Sequence, residues 1–397
     1  MKKLLVLAMI LVLAAPLFAE MTIGGEFDYY MVNGFAKVGA GDRNSFVDLW
    51  DKGEVDFKAT VGDYSQVRIE LEEDGTWNDF SAGEGAPSFN YFRVITDWGK
   101  FFGLDGIGIK TDIGLNSWET FDAVDFTGFN YENADSAIFL EDPCTSKDFG
   151  IKISFDFVDG LVQPYIAWKF DTVTYEDAID ELDENDNVIG THDANFEFLV
   201  GSGFDFNSLG LPLWLEAYYY DTIDEDINQF GVEAMYNLAI GDMNFKIGGN
   251  FENASNGDDR GSSWGFGIGF EAFGAAINVS GAGAFGEDYW GKDQYSPFSV
   301  LGVDAEYFFL DWLGVNAGVG FAFGDYKENV AGDKAFQTFE AGVVVKPDKG
   351  VCYKLGYIYA DEDVIKNNGK MKGVRTLNTK KLAADKGGLY FVTKIDF

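Results

Sequence analysis

From Thr22 onward the chain repeats one unit: alternating apolar and polar residues, a short turn, a second alternating run, then a longer polar connection. Two-residue alternation puts one apolar and one polar face on a β-strand. Phe149, Ile151, Ile153, Phe155 and Phe157 share one parity, while Lys152, Ser154 and Asp156 share the other. Phe230, Val232, Ala234, Tyr236, Leu238 and Ile240 oppose Glu233 and Asn237 in the same way. Eighteen such strands, with sixteen as the alternative count, run from 22–32 to 388–397. A soluble sandwich alternates too, so the period alone does not choose a fold.

The connections choose it. Those after even-numbered strands are short: Gly62-Asp63-Tyr64, Asp159-Gly160-Leu161, Gly241-Asp242-Met243 and Phe273-Gly274. Those after odd-numbered strands are mostly long and polar, spanning 33–53, 117–147, 175–194 and 362–387. A transmembrane antiparallel up-and-down β-barrel, with short periplasmic turns and long external loops, has this phase. Its tilted strands of ~10 residues also match an apolar band of ~25 Å. Beyond Ala19 no stretch approaches the ~20 apolar residues of a membrane helix.

The polar faces specify the interior. Glu54, Asp56, Glu70, Glu216, Asp304 and Glu306 are among the many acids expected to point inward. Lys58, Arg68, Arg93 and Lys110 belong to a smaller basic set on the same faces. Charges enclosed by a wall need water or partners, so these imply a wet lumen. With 66 acidic against 29 basic residues the net charge is −37, which would repel nucleic acid. It suits a conduit favouring cations.

The N-terminus reads as a secretory signal: Lys2 and Lys3, an apolar run from Leu4 to Leu13, Pro16, and a loose cleavage site at Leu17-Phe18-Ala19. Residues 1–19 are expected to be removed, leaving 20–397 as a single barrel domain. No cysteine follows the apolar run, which argues against a lipoprotein anchor. The first strand begins directly after the signal, leaving no room for the plug of an active receptor. Cys144 and Cys352 are expected near opposite ends of their strands, beyond the ~7 Å Cα separation a disulfide tolerates.

Chemistry finds few candidates. His192, the single histidine, sits in the acidic connection Glu176–Asp193, away from any expected nucleophile. There is no CxxC, HExxH or phosphate loop, so no catalytic residue, cofactor or metal is expected. Asp183, Asn185 and Asn187 begin like a calcium loop, but Val188 stands where glycine is needed, and a solvated acidic surface is the better reading. Trp214, Tyr218 and Tyr220 share an inward face, either as a stripe for sugars or as packing.

The closing decapeptide, Gly388 to Phe397, resembles the terminal-Phe sorting signal of bacterial outer-membrane β-barrels. That resemblance implies Phe397 as an assembly signal read by the barrel-assembly machinery, and outer-membrane lipid around the barrel. Residues 117–147 resemble, in position, the third loop of general porins, which folds inward to an eyelet. On that likeness Glu119, Asp122 and Asp125 would face Lys58, Arg68, Arg93 and Lys110 across a constriction. The small residues Gly265, Gly267, Gly269, Ser280, Gly318 and Gly320 would leave space for the loop; an external, solvated loop stays open as the other reading. The porin resemblance implies passive diffusion of small hydrophilic solutes or cations, and a homotrimer for which the residues offer no specific interface. The alternative is a non-conducting surface barrel acting as an adhesin or structural protein.

Overall fold

The computed structural model describes residues 20–37, 44–73, 88–115, 149–170, 196–222, 227–256, 259–287, 297–324, 336–360 and 388–396. They form eighteen strands. The first nine are β1 (Glu20–Lys37), β2 (Asn44–Val61), β3 (Ser65–Glu73), β4 (Ser88–Asp97), β5 (Ile107–Leu115), β6 (Phe149–Phe157), β7 (Val162–Phe170), β8 (Phe196–Asp205) and β9 (Leu213–Thr222). The others are β10 (Ile227–Ile240), β11 (Met243–Asn256), β12 (Asp259–Ala272), β13 (Ala275–Glu287), β14 (Val300–Leu310), β15 (Leu313–Ala322), β16 (Phe336–Asp348), β17 (Val351–Ala360) and β18 (Gly388–Asp396).

Each strand pairs antiparallel with its sequence neighbours, and β18 returns to pair with β1 from Glu26↔Asp396 to Gly34↔Gly388. This up-and-down ring of eighteen fits the phase of the connections and sets aside the count of sixteen. Closure removes the free edges that would otherwise expose unpaired backbone groups.

Two strands are longer than their side chains suggest. Residues 33–53 read as a polar connection, yet β1 continues to Lys37 and β2 starts at Asn44. Their backbones pair through Gly34↔Ser45 and Asn33↔Phe46, with a register shift between Asp28 and Tyr29. Hydrogen bonding along the ladder carries the hairpin past the point where apolar alternation stops.

A short helix was not expected. α1 (Trp98–Phe102) fills the turn between β4 and β5, with Asp97 accepting from the Lys100 backbone N–H at its start and Gly103 in a left-handed conformation at its end. A 3-10 turn, Phe206–Leu209, likewise connects β8 to β9, while other turns are shorter. Between β12 and β13 only Phe273 and Gly274 connect the Ala272↔Ala275 pair, both with positive φ (52° and 78°). That is the backbone of a two-residue hairpin whose twist matches the strands.

The wall is inside-out relative to a soluble protein. Phe230 (45 % exposed), Ile247 (47 %) and Leu355 (59 %) point outward. Lys169 (1 %), Glu252 (2 %) and Glu340 (1 %) are buried on the opposite face. Slipping a strand by one residue would exchange the two faces along its whole length. Such a slip would turn Lys169 to the apolar outer face and the large apolar side chains inward, so polarity fixes the register.

Candidate functional site

The inner face of the ring is the place where this sequence concentrates chemistry, and ladder register decides which side chains meet there. Lys58 on β2 pairs with Arg68 on β3, which pairs with Arg93 on β4. The expected basic residues therefore form one row across three strands. The row is held in place locally: Arg68 Nε donates to Gln66 Oε1 at 2.8 Å, and Arg93 Nη1 meets Asp112 Oδ2 of β5 at 3.0 Å. The Arg93 guanidinium also lies 4.9 Å from the centre of the Tyr91 ring. Lys110 stands apart from this row, exposed and nearer the short-turn end, opposite Asp97 and Ser154.

Two residues back along β2 the sign reverses. Asp56 pairs with Glu70, and Glu70 with Tyr91. The Tyr91 hydroxyl donates to Asp56 Oδ1 at 2.7 Å. Carboxylate oxygens of Glu54, Asp56 and Glu70 lie within 4.8 Å of one another. Negative charge at that density draws cations toward the wall.

Asp304 and Glu306 lie on β14, on the far side of the ring. Asn278 Nδ2 donates to Asp304 Oδ1 at 3.1 Å. Glu306 bridges two lysines, Lys346 at 3.1 Å and Lys354 at 3.8 Å. Glu119, Asp122 and Asp125, the expected loop partners of the basic row, lie outside the described residues. So do Phe397, His192, Cys144, and the Asp183–Asn187 segment. Cys352 is a free thiol.

A device that strand-by-strand reading does not reveal organises much of the lining. Across β7 to β11 the ladder aligns Tyr165↔Gly201↔Tyr218↔Gly231↔Glu252. Each tyrosine lies flat over the glycine beside it, where any Cβ would overlap the ring. Tyr165 thereby reaches Glu216 with its hydroxyl, and Tyr218 reaches Glu252 at 3.2 Å. Gln229 and Ser263 complete the second group, donating to Tyr218 Oη (3.1 Å) and Glu252 Oε2 (3.2 Å).

The arrangement recurs on the far wall. There Tyr390 aligns with Gly356, Gly342 and Asn316 in turn. Its ring crosses both glycines, its hydroxyl accepts from Asn316 Nδ2 at 3.3 Å, and Asn316 also donates to Glu340. Glycine here permits close approach of a ring to the sheet. A bulky side chain is folded against the wall, and each buried carboxylate gains a donor.

Of the three inward aromatics on β9, Trp214 lines an open recess. Tyr218 is pressed to the wall as described, and Tyr220 packs against the cluster of Tyr165, Ala167, Leu199 and Tyr218. Trp214 sits against the α-carbon of Gly203, where a Cβ would come within 3.2 Å of the indole. The small residues of β12, β13 and β15 do lie on the inner face: Gly265, Gly267, Gly269, Ser280, Gly318 and Gly320 are all buried. The connection 117–147 that they were expected to accommodate lies outside the described residues.

No protein-family model and no curated protein sequence matches the chain. Solved structures do. A BenF-like porin from Pseudomonas fluorescens Pf-5 superposes with a TM-score of 0.52 at 9% identity, over 96% of this chain and 99% of that one. Pseudomonas aeruginosa OccK2 (OpdF), solved in complex with glucuronate, gives 0.52 at 8% identity over 95% and 96%. Pseudomonas aeruginosa OprD gives 0.51 at 9% identity, covering 96% of each chain. At such identities the likeness is one of architecture, and the chain shares the fold of these proteins.

Proposed function

We propose that the chain is a porin of the bacterial outer membrane, a water-filled channel through which small hydrophilic solutes and ions pass by diffusion. One observation carries the reading: a closed ring that turns its charged side chains inward and its large apolar side chains outward. Lipid satisfies the outer face, and charged groups facing a closed interior call for water. The fold shared with outer-membrane porins supports both the location and the channel role. A transport path needs no nucleophile or general base, so the chain acts as a conduit rather than an enzyme. Residues 1–19 direct export and are removed, leaving 20–397 as the barrel.

The pore prefers cations. Acids outnumber bases on the lining, and the Glu54, Asp56 and Glu70 group concentrates carboxylates on one wall. The basic row Lys58, Arg68, Arg93 opposes it two residues away, so a passing solute meets a transverse field as well as a net attraction. Lys110, Asp304 and Glu306 extend the charged lining, and Glu119, Asp122 and Asp125 contribute from the third external connection if it turns inward. Single-channel recording in planar bilayers tests the reading. Stable conductance steps, with a reversal potential in a KCl gradient on the cation side, are expected. Absence of steps points to a non-conducting surface barrel, and anion preference contradicts the charge argument.

A further inference from the structure

At the short-turn end of β5 to β9 the inner wall holds a recess of about 520 Å³. Small-molecule sites fall in the range of about 300–1,000 Å³. Its chemistry rests on Lys110, Lys152, Asp156, Gln163, Trp214 and Glu216. Two cations stand with two carboxylates, which sets it apart from the acid-rich wall around it.

Those charges are tied to one another. The Lys152 ammonium lies 4.5 Å from the centre of the Tyr165 ring, and the Tyr165 hydroxyl donates to Glu216. Gln163 is fixed by a 2.8 Å bond from Nε2 to the Gly160 carbonyl. Asp156 lines the recess, and its Oδ1 accepts no hydrogen bond among the described residues, so this carboxylate retains acceptor capacity there. Trp214 adds an apolar ring, seated close to the wall because Gly203 has no side chain.

We propose that this recess binds a neutral, polyhydroxylated ring of monosaccharide size. Such a molecule has C–H faces that pack on an indole, and hydroxyls that both donate and accept. Its hydroxyls would donate to Asp156 and Glu216 and accept from Lys110 and Lys152. A charge-balanced site gives an ion no net attraction, so neither a sugar acid nor an amino acid gains over a neutral sugar. The proposal rests on the channel reading only for placing the recess on a transit path.

D-Glucose titrated into single-channel recordings of the full-length protein tests it. Each current is scaled to the sugar-free current of the same variant. Half-block at about millimolar glucose is expected, with Trp214→Ala and Asp156→Asn each raising that concentration at least about tenfold. Glucuronate and arginine should block no better than glucose. Block unaltered in both variants, or stronger block by either charged solute, overturns the proposal.

If no channel opens, the porin reading fails and the site is judged separately. Saturation-transfer NMR of glucose on the detergent-folded barrel then decides. Signal lost in both variants upholds the site; signal equal to that of the unaltered protein overturns it.

Discussion

At the scale of single residues, the lining depends on glycines that let aromatic rings lie flat. Gly231 shows it most clearly: a methyl group there would occupy the space of the Tyr218 ring. Gly231→Ala should lift the ring into the lumen and break its bonds to Glu252 and Gln229. A loss of about 1–3 kcal/mol is expected, read as a lower urea midpoint of the folded barrel in detergent. A midpoint equal to that of the unaltered protein would show that Tyr218 does not depend on this contact. The Tyr–Gly–carboxylate rows were hidden from sequence reading for a physical reason. Tyr165, Gly201, Tyr218 and Gly231 are far apart in sequence, and only ladder register makes them neighbours. The basic residues were easier, because inward parity alone identifies Lys58, Arg68 and Arg93. That they form one row again needed the register.

At the scale of elements, parity and turn length made the strands legible. Strong alternation in β6, β10 and β17 leaves little freedom for another assignment. The errors came where side chains stop signalling. β1 continues past Asn33 to Lys37 and β2 already begins at Asn44, paired along the ladder where the apolar alternation of the sequence has stopped. α1 had a readable signal, Asp97 before and Gly103 after a five-residue run, but it is too short to show a helical period. The β12–β13 turn holds a local conflict. Phe273 adopts φ 52°, a left-handed conformation that costs a bulky residue about 1–2 kcal/mol, yet it is 78 % exposed. Asn-Gly is the preferred pair for such a turn. Phe273→Asn should stabilise the folded barrel by about 1 kcal/mol, read as a higher urea midpoint in detergent. A fall instead would mean that the exposed phenyl ring contributes more to stability than its backbone strain removes.

At the scale of the whole molecule, closure and polarity act together. The pairing of β1 with β18 makes the last strand the closing one, with Leu389, Phe391 and Ile395 on the outward parity and Lys394 and Asp396 on the inward parity. On the sorting-signal resemblance, Phe397→Ser should reduce the amount of barrel in the outer membrane severalfold, measured by heat-modifiable mobility in membrane fractions. The conductance of the channels that do assemble should be unchanged. Normal membrane levels would remove Phe397 from the assembly role.

The most direct test of a wet lumen inside a lipid-facing wall uses β5, where neighbouring parities carry Lys110 inward and Ile113 outward. With Cys144 and Cys352 replaced by serine, Lys110→Cys and Ile113→Cys can each be treated with a charged, membrane-impermeant thiol reagent during single-channel recording. A water-filled barrel predicts a stepwise fall in current for Lys110→Cys and none for Ile113→Cys. An unreactive Lys110→Cys, or equal modification of both positions, would contradict it.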